Sequence, residues 1–471
     1  MDRRKFFRNG SLIAVGSTII NPFQGSAQNL DFDTLKKNNK AKNIIFMVSD
    51  GMSSGTLNIA DVFLNRKNGK SSNWIQLYKD NRVSRALMDT ASASSIVTDS
   101  AAGCSAWGSG FRVKNGSINV GVNGEEYLPI LQKFKKSGKS VGCVTTVPIT
   151  HATPSGFCVN SKSRNGQEDI AVSYLDINFD ILMGGGLEFF DTKLRKDKRD
   201  LFAEFEKKGY QITKNRSEML QTNNEKPILG VFFEDGLPYD IDRQNDPELV
   251  KTIPTLAEMA TKAIDKLKGN KNGFVMQIEG GKVDWGAHSN DIAALLHEQI
   301  AFDEAIKVAI DFAEKDKETL VIITTDHGNA NPGILYGKHA NTNFDSLQKY
   351  KKTNEWILNE IKKDSTISKV RELIEYANGT TISELNAKEI LNHYDGLHKE
   401  EGLYNYKKVP FETLAEMQKK TNSVGWISLE HTGDHVELAA FGPGSELLKP
   451  FVKNTDLHYL MLQAAEIENK F

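Results

Sequence analysis

Apolar positions along the chain fall into short unbroken runs rather than alternating with polar ones. Asn43–Asp50, Val141–Thr150, Gly273–Glu279, Leu320–Asp326 and Val436–Phe441 are the clearest of these runs. Continuous apolar segments of this length predict strands covered on both faces, as in a parallel sheet. Between them lie stretches with helical periodicity, notably Pro254–Lys268 and Asp291–Ala313. Strands separated by helices predict an α/β fold, with a mostly parallel central sheet flanked by helices on both faces. Residues 340–425 differ: they are rich in Lys and Glu, helical in period and poor in strand signals. They read as a helical subdomain inserted into a single unit spanning 43–471.

The N-terminus breaks the pattern in another way. Arg3-Arg4-Lys5-Phe6-Phe7-Arg8 precedes a short apolar stretch, Leu12 to Ile20, and the small residues Gly25-Ser26-Ala27. This is the order of an export signal over 1–27, and the arginine pair resembles a twin-arginine signal. An ordinary secretory signal with a chance arginine pair is the alternative. Residues 28–42 are polar and read as a flexible lead-in. The apolar stretch is too short and interrupted for a transmembrane helix, so no stable membrane anchor is expected. Periplasmic or secreted localisation follows.

Composition changes this picture little. Charged residues make up 25% and hydrophobic residues 39% of 471 positions, an ordinary globular balance. The chain holds 59 basic and 61 acidic residues; losing four basic and one acidic with 1–27 leaves 55 against 60, a net charge of −5. Nothing in that balance points to nucleic acid. Three cysteines allow one disulfide at most, and spacing alone does not pair Cys143 with Cys158. Cys104 reads as a small packing residue.

The chemistry sits at the ends of the apolar runs. Four of them finish in Asp50, in Thr150-His151-Ala152-Thr153, in Glu279 and in Asp326-His327. In open α/β sheets ligands bind outside the carboxyl ends of the strands, so these groups should share one rim. Asp284 and His288, four apart, can face the same way, and His431 precedes the run at Val436. Mixed carboxylate and imidazole sets suit zinc, whereas all-oxygen sets suit magnesium. Asp99-Ser100-Ala101-Ala102-Gly103 predicts a tightly packed helix start, where an ionised serine oxygen would be favoured.

Taken together, Asp50-Gly51-Met52, Asp99-Ser100-Ala101-Ala102, His151-Ala152-Thr153-Pro154, Glu279-Gly280-Gly281-Lys282-Val283-Asp284, Asp326-His327-Gly328 and His431-Thr432-Gly433 resemble the alkaline phosphatase motifs, in the family's order. The match covers roughly residues 43–330 and 425–445 and is weak through the helical segment. It implies a phosphate monoesterase that holds two zinc ions and one magnesium and forms a phosphoserine intermediate. Ser100 resembles the nucleophile, in contact with the zinc held by Asp50, Asp326 and His327. Asp284, His288 and His431 resemble the ligands of the second zinc. Asp50, Thr153 and Glu279 resemble those of magnesium. Arg164 resembles the phosphate clamp, oriented by Asp99. Homodimers are usual in the family, and small phosphate monoesters are the implied partners.

Two positions depart from the commonest pattern. His151 stands where some members have Asp, and imidazole suits zinc better than magnesium, which leaves the third ion open between the two. Trp285 replaces a Lys or His and reads as a substrate-orienting residue. A phosphodiesterase or sulfatase relative is the alternative enzyme, although Ser100 lacks the Cys/Ser-x-Pro-x-Arg signature of sulfatases. A non-catalytic phosphate- or metal-binding protein on the same fold would lack a ligand or the nucleophile, and neither is missing.

Overall fold

The computed structural model describes residues 40–398 and 408–469. The signal predicted at 1–27 and most of the lead-in at 28–42 lie outside the described residues. Fourteen strands follow one another as β1 (Asn43–Ser49), β2 (Ser84–Asp89), β3 (Ser140–Pro148), β4 (Ile181–Gly185), β5 (Gln211–Thr213), β6 (Ile228–Val231) and β7 (Phe274–Gly280), then β8 (Thr319–Thr324), β9 (Gly328–Asn329), β10 (Gly333–Ile334), β11 (Val424–Gly425), β12 (His431–Thr432), β13 (Val436–Phe441) and β14 (Phe451–Lys453). Ten of them form one sheet in the order β14-β2-β13-β8-β1-β7-β3-β4-β6-β5. All neighbouring pairs are parallel except the two made by β13, which runs against β8 and β2.

The central strand shows why the sheet is covered on both faces. Every residue of β1 is buried. Ile45 and Met47 enter one core with the helices Ser54–Asn68, Leu256–Leu267 and Ile292–Asp316. Ile44, Phe46 and Val48 enter a second core, with the helices Ser100–Ser109, Ile130–Lys136 and Asp456–Ala464. Successive strand residues point to opposite faces, so an apolar run serves both layers. The two predicted helices form with local support. Thr255 and Glu258 make a reciprocal capping box at the start of Leu256–Leu267, and Asp291 caps Ile292–Asp316.

All five predicted strands form, but the sheet holds five more: β2, β4, β5, β6 and β14. β5 and β14 have three residues each, and β2 alternates exposed and buried positions around Arg85, so none of these makes a long apolar run. The glycines 184–186 divide. Gly184 and Gly185 finish β4, and only Gly186, at φ 96°, turns the chain. Residues 354–422 contain the helices Asn354–Glu360, Ile367–Asn378, Glu384–Asn392 and Phe411–Asn422, whose apolar residues form a third core. This layer is tied to the main body by polar contacts: Thr353 N and Oγ1 donate to Asp242 at 3.0 and 2.7 Å, and Glu355 N donates to Asp291 at 3.1 Å.

The four central strands β8, β1, β7 and β3 are neighbours, and their carboxyl ends lie side by side. Val48 is level with both Glu279 and Thr324, and Thr145 is level with Glu279. Asp50, the loop after β3, Glu279 and Asp326 are thereby brought to one rim.

Candidate active site

Ser100 opens a ten-residue helix whose sequence, Ser-Ala-Ala-Gly-Cys-Ser-Ala-Trp-Gly-Ser, is buried throughout. Small residues are required there by close approach. A Cβ on Gly108 would lie 2.0 Å from the Gly156 carbonyl, and one on Gly156 would lie 2.2 Å from Cys104 Sγ. The helix therefore meets Ala152–Cys158 nearly backbone to backbone, with Cys104 as a packing residue. Cys143 and Cys158 face each other as free thiols, 3.6 Å apart at sulfur. Asp99 caps the serine helix: its Oδ1 accepts from Ala102 N at 3.0 Å, while Oδ2 accepts from Gly116 N at 2.9 Å and from Arg164 Nη1 at 3.1 Å. Arg164 Nη2 donates to His151 Nε2 at 3.1 Å, so the guanidinium fork is held from both sides.

Around Ser100 the predicted ligands form three overlapping groups whose donor atoms lie within 4.8 Å of one another: Asp50, Asp326 and His327; Asp284, His327 and His431; Asp50, His151 and Glu279. Ser100 Oγ lies 3.2 Å from His327 Nε2. His288, expected with Asp284 and His431, is there too, its Nε2 lying 3.4 Å from Asp284 Oδ2 and 3.0 Å from His431 Nε2. Thr153 Oγ1 donates to Asp50 Oδ2 at 3.2 Å. Trp285 stands half-buried, its ring edge-on to His151 at 6.1 Å between centroids. All thirteen residues singled out from the sequence thus meet in one place: Asp50, Asp99, Ser100, His151, Thr153, Arg164, Glu279, Asp284, Trp285, His288, Asp326, His327 and His431.

The backbone sets the imidazole tautomers. Nδ1 of His288, His327 and His431 lies 2.6, 3.2 and 2.9 Å from the carbonyls of Leu429, Gly328 and Thr98. Each Nδ1–H donates to its carbonyl, which leaves the Nε2 lone pair facing the cluster. Two such lone pairs 3.0 Å apart, on His288 and His431, repel unless a cation or proton stands between them. The carboxylates make the same demand. Burial, together with Asp326, Asp284 and Glu279, pushes Asp50 well above the usual carboxylate range. Burial raises Glu279 to about 8, and burial with Asp284 raises Asp326 to about 6. Burial also presses on Asp284, but His288, His431 and His327 outweigh it and pull that group down. Burial and Arg164 lower His151 to about 3, so its ring is neutral. Asp50 Oδ1, Glu279 Oε1, Asp326 Oδ2 and His151 Nδ1 are buried without a hydrogen bond. Buried carboxylates left without partners are costly. Oxygen and imidazole donors in this arrangement fit divalent metal ions.

The surrounding hydrogen bonds were not legible in the sequence. Asn329 Nδ2 donates to Asp284 Oδ1 at 2.7 Å, and Thr145 Oγ1 donates to Glu279 Oε2 at 2.5 Å. Asn329 directly follows the Asp326-His327-Gly328 motif, which was a usable signal; Thr145 meets Glu279 only across the strand pair. Gly51 is also part of the site. Its N–H donates to Asp326 Oδ1 at 3.1 Å, its φ is 68°, and a Cβ there would lie 2.4 Å from Asp284 Oδ1. Gly51→Ala should displace the Asp284 carboxylate and weaken metal binding about 10- to 100-fold, as loss of a supporting contact does. Metal content after dialysis measures this, and unchanged retention would show that the loop yields without moving Asp284.

The family model for alkaline phosphatase matches residues 41–467. Alkaline phosphatase 4 of Bacillus subtilis is 35% identical over 432 residues, covering 89% of this chain and 88% of its own length. Alkaline phosphatase 3 of the same organism is 31% identical over 458 residues, covering 95% and 94%. The crystal structure of Thermus thermophilus alkaline phosphatase superposes with a TM-score of 0.84 at 29% identity, covering 96% of each chain. Similarity that runs from ahead of β1 to past the last helix leaves one assignment: this chain belongs to the alkaline phosphatase family and is a phosphoric monoester hydrolase.

Proposed function

We propose that the chain hydrolyses phosphate monoesters through a phosphoserine at Ser100, with two zinc ions and a third metal ion in the cluster. The observation that carries this reading is Ser100 Oγ at a helix start, 3.2 Å from His327 Nε2 and next to three overlapping donor groups. Asp50, Asp326 and His327 would hold the zinc nearest Ser100, and Asp284, His288 and His431 the second. Asp50, Thr153 and Glu279, with His151 adjacent, would hold the third ion, magnesium or zinc. Bound divalent ions supply charge stabilisation for the entering and leaving oxygens of an in-line displacement.

The chain's own residues do the rest. Ser100 Oγ forms the bond to phosphorus as the ester oxygen departs with a proton, and water then cleaves the phosphoserine to release inorganic phosphate. The helix N-terminus favours the ionised serine oxygen. Arg164, held by Asp99, offers two parallel N–H donors to the phosphoryl oxygens, a geometry that lysine cannot reproduce. Trp285 borders the space where the rest of the substrate sits.

We further assign 1–27 as an export signal of the twin-arginine type, 28–42 as a lead-in, and 43–471 as one catalytic unit with the helical insertion at 340–425. Periplasmic or extracellular action and a homodimeric assembly belong to the same reading. Among the described residues no helix is long and apolar enough to cross a membrane. The reading is tested by comparing an aryl phosphate monoester with the corresponding diester at alkaline pH. Because Arg164 and the third metal group suit a phosphoryl group with free equatorial oxygens, kcat/KM for the monoester should exceed that for the diester by at least about a hundredfold. A preference for the diester would overturn it.

A further inference from the structure

The serine helix Ser100–Ser109 ends at Gly110, and the loop that follows returns to touch three parts of the site. Gly116 holds Arg164 twice. Its carbonyl accepts from Arg164 N at 2.8 Å, and its N–H donates to Asp99 Oδ2, the same oxygen that receives the guanidinium. Ile118 exchanges both backbone hydrogen bonds with Ser161 at 2.9 Å, shortly before the clamp. Asn119 then reaches two helices at once. Its N–H donates to Ser105 Oγ at 2.8 Å, and Ser105 Oγ donates to Ala101 O at 2.7 Å in the turn that begins with Ser100. Its Nδ2 donates to the carbonyls of Gly156 and Val159, both at 2.7 Å, at the end of the helix that carries Thr153.

Two observations set Asn119 apart from an ordinary buried amide. Its backbone is left-handed, at φ 51°, a conformation that most side chains avoid. Its side chain is fully buried, yet among the described residues Oδ1 has no hydrogen-bond partner. Turning the amide over would not repair this, because Oδ1 would then face the two carbonyls. The group has room only because the serine helix carries glycine beside it: a Cβ on Gly108 would lie 3.0 Å from Oδ1. Left-handed backbone and an unmet buried oxygen both oppose folding, and such features persist where the surrounding structure over-determines a residue's place. That place is the junction of the nucleophile helix, the Thr153 helix and the Arg164 loop.

We propose that Asn119 is a positioning residue for phosphoryl transfer, the anchor through which segment 116–119 fixes the Arg164 clamp and the Thr153 helix against Ser100. The helix Ala152–Cys158 has only seven residues and no side-chain cap at its start, so its place depends on what holds its end. Asn119 supplies that hold from a residue already tied to Ser105. Arg164 is then braced from two directions: through Gly116 and Asp99 on one side, and through His151, at the start of that helix, on the other. Without the amide, clamp and nucleophile would keep their own partners and lose their common reference. The inference rests on the monoesterase reading for the reaction being positioned, but the coupling itself can be measured without metal or turnover.

The test is Asn119→Gly, which keeps the left-handed backbone and the N–H to Ser105 and removes only the amide. Gln132→Ala is the comparison, because Gln132 Nε2 holds the end of the same helix at Cys158 O, 2.8 Å away, from outside the segment. In the metal-free protein, well below its melting temperature, hydrogen exchange in Asn119→Gly should rise about tenfold in residues 152–158 and 161–164 and stay unchanged in β1 and β7. In the metal-loaded protein, kcat/KM for an aryl phosphate monoester should fall about tenfold, and inhibition by inorganic phosphate should weaken by a similar factor. Ser105→Ala cuts the tie at the serine helix and should shift both constants in the same direction. Gln132→Ala should leave both near wild type. Exchange that rises uniformly along the chain overturns the proposal, as do equal losses in Gln132→Ala. So does a lower melting temperature with kcat/KM and phosphate inhibition unchanged, which would make Asn119 a packing residue. A wild-type protein that does not cleave the monoester overturns the monoesterase reading instead, and the exchange pattern still decides the coupling.

Discussion

Ser100→Ala is expected to lower kcat/KM for a phosphate monoester by at least about a thousandfold, because on the proposed mechanism it removes the hydroxyl that takes the phosphoryl group, at the helix start 3.2 Å from His327 Nε2. The carboxylates and imidazoles remain, so the variant should still bind metal, and the helix should still form because Asp99, not Ser100, caps it. Metal content and thermal unfolding check those two points, and an acid-quenched reaction with labelled substrate looks for protein-bound phosphate. The wild-type chain should carry label on Ser100 and the variant none. Activity within about tenfold of wild type would remove Ser100 from the nucleophile's role.

Chelation carries the second large effect. Stripping metal should abolish activity; zinc alone should restore part of it, and zinc with magnesium the whole. Full recovery with magnesium alone would refute the two-zinc assignment, and full recovery with zinc alone would assign the third group, with His151, to zinc. The metal-free chain should also behave differently with pH. Glu279 at about 8 and Asp326 at about 6 stand above their unfolded values. A raised carboxyl favours folding while protonated, so this contribution is present at low pH and fades as pH climbs through about 6 and then about 8. The melting temperature of the stripped protein should therefore fall between pH 5 and pH 9, and added metal should remove most of that dependence. A stripped protein equally stable across this range would contradict the electrostatic account of the cluster.

The parts of the fold that were legible share one property: each is encoded within a few residues of itself. The run Asn43–Ser49 is apolar at every buried position except its polar ends, and the Thr255–Glu258 capping box marks its helix start. Strands β5 and β14 escaped because three residues carry no periodic signal. The direction of β13 escaped for another reason: an apolar run reads the same in either direction, and only its position between β8 and β2 makes it antiparallel.

The site divides along the same line. By itself the sequence determined the donor set, its order and its place at strand ends, because a parallel sheet puts the carboxyl ends of its strands on one rim whatever the loops do. Ser100 and the metal-ligand candidates from Asp50 to His431 were named from that rule and from the motifs, and Arg164 from the family resemblance alone. Only the tertiary structure decided how the donors are aimed. The Nδ1 contacts to Leu429, Gly328 and Thr98, and the bond from Thr145 to Glu279, join positions from neighbouring residues to more than three hundred apart. Spacing along a chain specifies which side chains share a local face. Which faces then meet depends on packing among distant segments, and no short motif encodes that.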